Sequence, residues 1–339
     1  MKTFFGILEN GSEASLYTIS SGNLTAVISD YGATLVKLFV PDAKGNLADV
    51  VLGFDDPNQY TASGTFFGAT VGRNANRVKS AQYTINGRVH TMEPNDNGCH
   101  NLHSGADFFK NRLWTVAEAE IDRIRLSLFS PDGDQGFPGN ATISVTYSLE
   151  QGNFLRIRYD GICDKDTVFN MTNHTYFNLA GHEKTEKAME QVLTMPARFY
   201  TVSDSQSIPT GELRPVENTP MDFRTPKPIG RDIDASYSSL QLQGGYDHNF
   251  EVFTGPCAIL TDPQSGRTMA VSTNCPGVQL YTGNYIDNEV GKDGVLYPRR
   301  SGVCLETQYF PDSINHPEWA QPFVKAGTPY HSETIYRFN

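Results

Sequence analysis

Apolar and polar residues alternate along nearly all of this chain with a period of two, which excludes most helical architectures before anything else is read. Ile124, Leu126 and Leu128 alternate with Arg123, Arg125 and Ser127. Ile143, Val145, Tyr147 and Leu149 alternate with Thr142, Ser144, Thr146 and Ser148, and Leu155, Ile157 and Tyr159 with Arg156 and Arg158. Successive side chains of a strand point to opposite faces, so each run reads as a strand with one wet face. Gln151-Gly152-Asn153 joins the last two as a hairpin, and Asn86-Gly87 makes another between Gln82 and Met92. Residues 262–267 turn between strands at 258–261 and 268–273, and 24–29, 34–40 and 50–54 read as earlier strands. No window carries an amphipathic helix of three or more turns; single turns are expected at 56–60, with Pro57 at the first position, and at 228–233. The expectation is an all-β fold, one large antiparallel β-sandwich domain over residues 1–339, because no flexible linker and no fixed-period repeat divides the chain. Residues 130–140 and 203–237 read as loops, the second long enough to cover a site.

The charge balance narrows the partners. A formal net charge of -11 argues against nucleic acid and anionic membranes, which favour basic proteins. No apolar run approaches the roughly 18 residues of a membrane span, and the N-terminal stretch lacks the apolar region of a signal peptide. Five Cys, an odd number with no C-x2-C pair, read as reduced thiols of a cytoplasmic protein.

Six stretches carry candidate chemistry. Residues 167–180, T-V-F-N-M-T-N-H-T-Y-F-N-L-A, read as a strand with Met171, Asn173, Thr175, Phe177 and Leu179 on one face. The other face carries Asn170, Thr172, His174, Tyr176 and Asn178. That row has no Lys, Glu or Asp, which fits a pocket for an uncharged, hydroxyl-rich ligand; a purely structural His174 stays open. G-R-N-A-N-R-V at 72–78 places Arg73, Asn76 and Arg77 in a loop, and the Arg fork suits vicinal hydroxyls or carboxylates. C-H-N-L-H-S-G at 99–105 holds His100 and His103 with no third ligand nearby, so no metal is expected. G-G-Y-D-H-N-F at 244–250 sets Asp247 beside an aromatic residue, and 277–283 puts Gln279 and Tyr281 on one face. In S-G-V-C-L-E-T-Q-Y-F-P-D at 301–312, Cys304, Glu306 and Gln308 share a face without Lys or Arg. A desolvated, unpaired Glu has a raised pKa and makes a good base.

Together the chain resembles one family, the galactose mutarotases or aldose 1-epimerases. The matching stretches are G-R-N-A-N-R at 72–77, N-L-H-S-G at 101–105, S-P-D-G-D-Q-G-F-P-G at 130–139, N-M-T-N-H-T-Y-F-N-L-A-G at 170–181, G-Y-D-H-N-F at 245–250, P-G-V-Q-L-Y-T-G-N at 276–284 and S-G-V-C-L-E-T-Q at 301–308. They occur in the family's order and span nearly the whole chain. The resemblance implies a β-supersandwich and the interconversion, without a cofactor or metal, of the α and β anomers of free hexoses such as D-galactose and D-glucose. It implies a monosaccharide as the only partner, and a monomer or homodimer. On this resemblance Glu306 is the general base at the anomeric hydroxyl and His174 the general acid at the ring oxygen. His103 assists at the ring oxygen and binds the sugar; Asn76, Arg77, Asp247 and Gln279 hold its hydroxyls. Glu306 is then expected to titrate not far below pH 7, coupled to a His174 that is protonated at rest. One departure is Ser104, where the family commonly has Gly after the His. Three competing readings stay open: a glycosidase using Asp247 with Glu306, a non-catalytic sugar-binding domain, and a hexose-phosphate epimerase with Arg73 or Arg77 at the phosphate.

Overall fold

The alternating runs become the longest strands of the computed structural model, which describes residues 1–253 and 255–339. Arg123–Ser130, Ala141–Glu150 and Phe154–Cys163 pair antiparallel in unbroken register. Ile124, Leu126, Ile143, Val145, Tyr147, Leu149, Leu155, Ile157 and Tyr159 all enter the core, while Arg123, Arg125 and Arg158 face water. Each large side chain so buried contributes about 1.5–3 kcal/mol. These strands belong to a nine-stranded sheet that continues through Tyr330–Phe338, Thr268–Thr273, Ala258–Thr261 and Val192–Thr194 to Lys227–Pro228. A five-stranded antiparallel sheet runs in chain order from Lys2–Ile7 to Leu47–Asp49. Residues 50–54 add only an isolated bridge from Val51 to Phe177. The Asp49 carboxylate accepts from the backbone N–H of Leu38 and Val51 and pairs with buried Lys292, which diverts the chain from the ladder.

A six-stranded sheet positions the site. Its order is Tyr176–Phe177, Val303–Gln308, Gly277–Tyr281, Asp247–Glu251, Phe199–Ser203, Pro209–Pro215. Val303–Gln308 and Gly277–Tyr281 are buried on both faces. Val278, Leu280, Val303 and Leu305 join the main apolar core. The opposite face carries Gln279, Tyr281, Cys304, Glu306 and Gln308, so a row that would suit solvent is instead walled in.

Three expectations change. Residues 167–180 form three short strands, Thr167–Val168, Thr172–Asn173 and Tyr176–Phe177, each paired to a different partner. Residues 203–237 are not a covering loop: Pro209–Pro215 closes one sheet edge and Lys227–Pro228 another. The helix Ser238–Gln243, ended by Gly244 in the left-handed region at φ 65, escaped the pattern because six residues show no repeat. Pro57–Ala62 is the expected turn at 56–60, capped by Asp56 through the Asn58 N–H. The hairpin at 82–91, the turn at 262–267 and the loop at 130–140 lie as expected.

Candidate active site

His174 stands at the break where the chain leaves one sheet for another. Thr172 pairs with Val71, and Tyr176 pairs with Cys304. Between them the His174 N–H donates to Ala69 O at 2.9 Å and its carbonyl accepts from Gly68 N–H at 3.0 Å. The imidazole lies between two nearly parallel rings, Tyr176 at 5.1 Å and Phe66 at 5.8 Å. Its Nδ1 is 3.6 Å from Cys304 Sγ and its Nε2 3.7 Å from Glu306 Oε2. Of the expected polar row, only His174 and Tyr176 line the cavity. Asn170 is consumed by Asn74, Ala75 and the Tyr309 N–H, and Asn178 donates to Lys184 O.

Sheet register, rather than sequence spacing, assembles the carboxyl groups. Asn249, Gln279 and Glu306 stand side by side across three strands, and Asp247, Tyr281 and Cys304 form the next row. Glu306 is 3% exposed, and its Oε2 has no hydrogen-bond partner among the described residues. Burial drives its carboxyl well above the usual range; the charge of Asp247 adds to this and Arg77 opposes it. Asp247 is also raised by burial, against Arg77 and the Gln279 amide, whose Nε2 donates to Asp247 Oδ1 at 2.6 Å. Burial lowers His174 to about 4. Burial thus pushes both groups toward their uncharged forms, against the expected charged His174 beside an ionised Glu306.

Two loops supply the remaining groups. Arg77–Val78 pairs with Asn101–Leu102, which brings Asn76 and His103 together. Both have left-handed backbones, φ 63 and φ 55. The Asn76 N–H donates to His103 Nδ1 at 3.2 Å, and the His103 N–H donates back to Asn76 O at 3.1 Å. With Nδ1 accepting, the neutral ring carries its proton on Nε2. Burial lowers His103 well below its ordinary value, so the neutral ring holds at physiological pH. Ser104, at φ 77, accepts from the Asn74 N–H and donates to Asn74 O, both at 2.8 Å. Where the family commonly has Gly, a Ser thus ties the residue after His103 to the Asn74 backbone.

His103, His174 and Glu306 place one ligand atom each within 4.8 Å of one another, a spacing that a metal ion accepts. A metal-bound His usually donates its other N–H outward. His103 does the reverse, since its Nδ1 receives an N–H, and that suits a hydrogen-bond donor rather than a metal ligand.

The structure brings Asn76, Arg77, His103, His174, Asp247 and Glu306 around one cavity of about 140 Å³; Gln279 stands behind Asp247 and does not line it. Arg77 is held by Asp96 at 2.9 Å. Arg73 is far from this role: it is fully buried and donates six hydrogen bonds, to Ser130, Pro131, Pro138, Gly139 and Thr167. His100 is structural, accepting from the Ser80 N–H. The sequence reading missed Phe66 and Tyr285 in the wall. Neither belongs to a polar cluster, and the only signal at Phe66 is a Phe-Phe-Gly run.

A family model described as aldose 1-epimerase matches residues 15–337. An aldose 1-epimerase of Haemophilus influenzae is 41% identical over 335 residues, 97% of each chain. A galactose mutarotase of Mus musculus is 36% identical over 348 residues, covering 100% of this chain and 98% of the relative. Among solved structures, an aldose epimerase homologue from C. elegans superposes with a TM-score of 0.87 at 29% identity, covering 96% of this chain and 99% of the other. A galactose 1-epimerase from Lactobacillus acidophilus gives 0.86 at 26% identity, covering 100% and 98%. Joined to the mostly-β fold, a family match over nearly the whole length and relatives above 30% identity show that the chain belongs to the aldose 1-epimerase family of isomerases.

Proposed function

We propose that residues 1–339 act as one catalytic domain that interconverts the α and β anomers of free hexoses, D-galactose and D-glucose. The observation that carries this is Glu306 Oε2 facing His174 Nε2 at 3.7 Å in a cavity of about 140 Å³. Such a volume is small beside the roughly 300–1,000 Å³ of drug-sized sites and suits a single sugar ring. The galactose mutarotases among the relatives support galactose as a substrate.

The steps follow from the pair. The anomeric hydroxyl of a bound pyranose donates to Glu306, which favours the ionised carboxylate and draws the shared proton to His174. Glu306 then takes the anomeric hydroxyl's proton as His174 delivers its own to the ring oxygen. The bond from C1 to the ring oxygen breaks and the C1 carbonyl forms. Rotation about C1–C2 presents the other carbonyl face. Glu306 returns its proton to the carbonyl oxygen, the freed hydroxyl gives its proton to His174, and the ring closes. Protons balance over the cycle. His103, with Nε2–H as donor, supports the ring oxygen as charge develops; Asn76, Arg77 and Asp247 hold hydroxyls, and Gln279 orients Asp247. The acid and the base each supply about 10²–10⁴-fold.

The alternatives lose support on specific contacts. A phosphate would meet Glu306 and Asp247, with Arg77 already paired to Asp96 and Arg73 buried elsewhere. A glycosidase would need an extended cleft for a second ring. The five free cysteines support a cytoplasmic setting, and no helix among the described residues is long and apolar enough to cross a membrane.

The test is two-dimensional NMR exchange between the α and β anomeric signals of galactose and of glucose at equilibrium. Exchange cross-peaks that grow with enzyme concentration support the reading. Their absence with both sugars would sink it. A methyl galactoside, which has no anomeric hydroxyl proton to give, should show none.

A further inference from the structure

Phe66 is half-buried and lies on the cavity wall with a left-handed backbone, φ 59, which a bulky residue adopts only when its surroundings hold it. Its ring meets His103 at 4.9 Å and lies nearly parallel to His174 at 5.8 Å, and Phe108 packs edge-on at 4.9 Å. Lys110 Nζ stands 5.0 Å from the Phe66 ring centre. That lysine is 4% exposed and donates to Tyr60 O at 2.6 Å and Ser63 O at 3.0 Å, at the end of the Pro57–Ala62 helix. Carbonyls at a helix end lack intrahelical partners, and a lysine amine is a fitting donor for them. No carboxylate lies within 4.0 Å of it among the described residues. A buried cation with no counter-ion is costly unless it is needed where it stands. Here it ties the start of the segment that delivers Gly64, Thr65 and Phe66 to the cavity, and touches the ring as well.

We propose that Phe66 is a positioning residue of the catalytic centre, clamped by Lys110, whose ring fixes the His103 and His174 imidazoles and keeps water off them. The proposal rests on the anomer-exchange reading above. Both imidazoles owe their lowered basicity first to burial, and Phe66 provides one side of that burial. The other titratable groups around them are Glu306 and Cys304 from one strand, Tyr176 and Tyr281 beside it, and Asp247 and Arg77 across the cavity. Shortening Phe66 removes none of these groups. Opening the Phe66 side to water therefore makes the imidazoles more basic. The working pair carries one proton; a second, on His174, leaves Glu306 unable to act. Loss of Phe66 thus moves the acid limb of kcat/KM to higher pH.

The experiment uses the full chain with Phe66→Ala, Phe66→Leu and Lys110→Met, following kcat and KM for anomer exchange across pH, with thermal melting alongside. The Phe66 variants are expected to lower kcat more than they raise KM, and to shift the acid limb upward by about one pH unit. Lys110→Met is expected to give the same direction of shift, Lys110→Arg to restore the limb, and the pair Phe66→Leu with Lys110→Met to be no worse than Phe66→Leu alone. An acid limb unmoved in the Phe66 variants, or effects of the two positions that simply add, overturns the proposal whatever happens to kcat. Phe66→Leu keeps apolar bulk and carries the readout should Phe66→Ala not fold. If the native protein exchanges no anomers, the functional reading falls by itself. Histidine C2–H NMR titration of the native protein and Phe66→Leu then decides, and imidazoles that titrate at the same pH in both overturn the proposal.

Discussion

A carboxyl buried without a hydrogen-bond partner resists ionisation, and Glu306 is such a group, 3% exposed beside Asp247. Its folded-state pKa lies above the unfolded value. The stability it contributes is thus present below the unfolded pKa and is lost as pH rises through the folded pKa. Glu306→Gln is accordingly expected to raise the melting temperature more at pH 8 than at pH 5, by roughly 2 °C or more, while anomer exchange falls about 10²–10⁴-fold. An equal change at both pH values would mean that Glu306 ionises normally. Asp247→Asn removes the neighbouring charge that raises Glu306, so the pH–rate limb belonging to Glu306 should move to lower pH; a limb that stays would show that burial alone sets it. The sequence exposed Glu306 because alternation put it beside Cys304 and Gln308 with no cation on that face. It could not expose the uncharged resting state of His174, which depends on rings from Phe66 and Tyr176 closing over the imidazole.

At the level of elements, the motifs divide by task. In the 72–77 stretch Asn76 and Arg77 face the cavity, whereas Arg73 holds the 130–139 loop in place through five of its six hydrogen bonds. A lysine has three donors on a flexible stem and cannot replace the five-donor guanidinium fork. Each buried acceptor left unmet costs about 1–3 kcal/mol. Arg73→Lys should therefore lower the melting temperature by several degrees without moving the limbs of the pH profile, and calorimetry beside the pH–rate curve checks both. Ser104→Ala orphans the Asn74 N–H and carbonyl and frees the His103 turn, so kcat should fall with little change in the pH limbs; an unchanged kcat would mean that the Asn76–His103 bond suffices alone. Strand positions, hairpins and the 130–140 loop were legible because period-two alternation and Gly-Asn turns are local signals. The breaks at 167–180 were not. Val71, Cys304 and Val324 each claim a few residues of that stretch, and those claims come from distant parts of the chain.

For the whole molecule, the net charge of -11 and the acidic cavity wall disfavour anionic substrates, so hexose 6-phosphates are expected to exchange no faster with the enzyme than without it. NMR exchange on glucose 6-phosphate checks this. The fold class followed from the pattern, but the six-stranded sheet's buried polar face did not, because residues such as Gln279, Glu306 and Gln308 look alike whether water or protein covers them. Only the register Asn249–Gln279–Glu306, set across strands far apart in sequence, shows which polar row turns inward. On the proposed function this inward row, opposed by His174, opens and recloses a free hexose. Polarimetry of freshly dissolved α-D-galactose, with the native protein and with Glu306→Gln, tests it most directly. The native protein is expected to speed the approach to anomeric equilibrium and the variant is not. Equal acceleration by both, or none by the native protein, would contradict it.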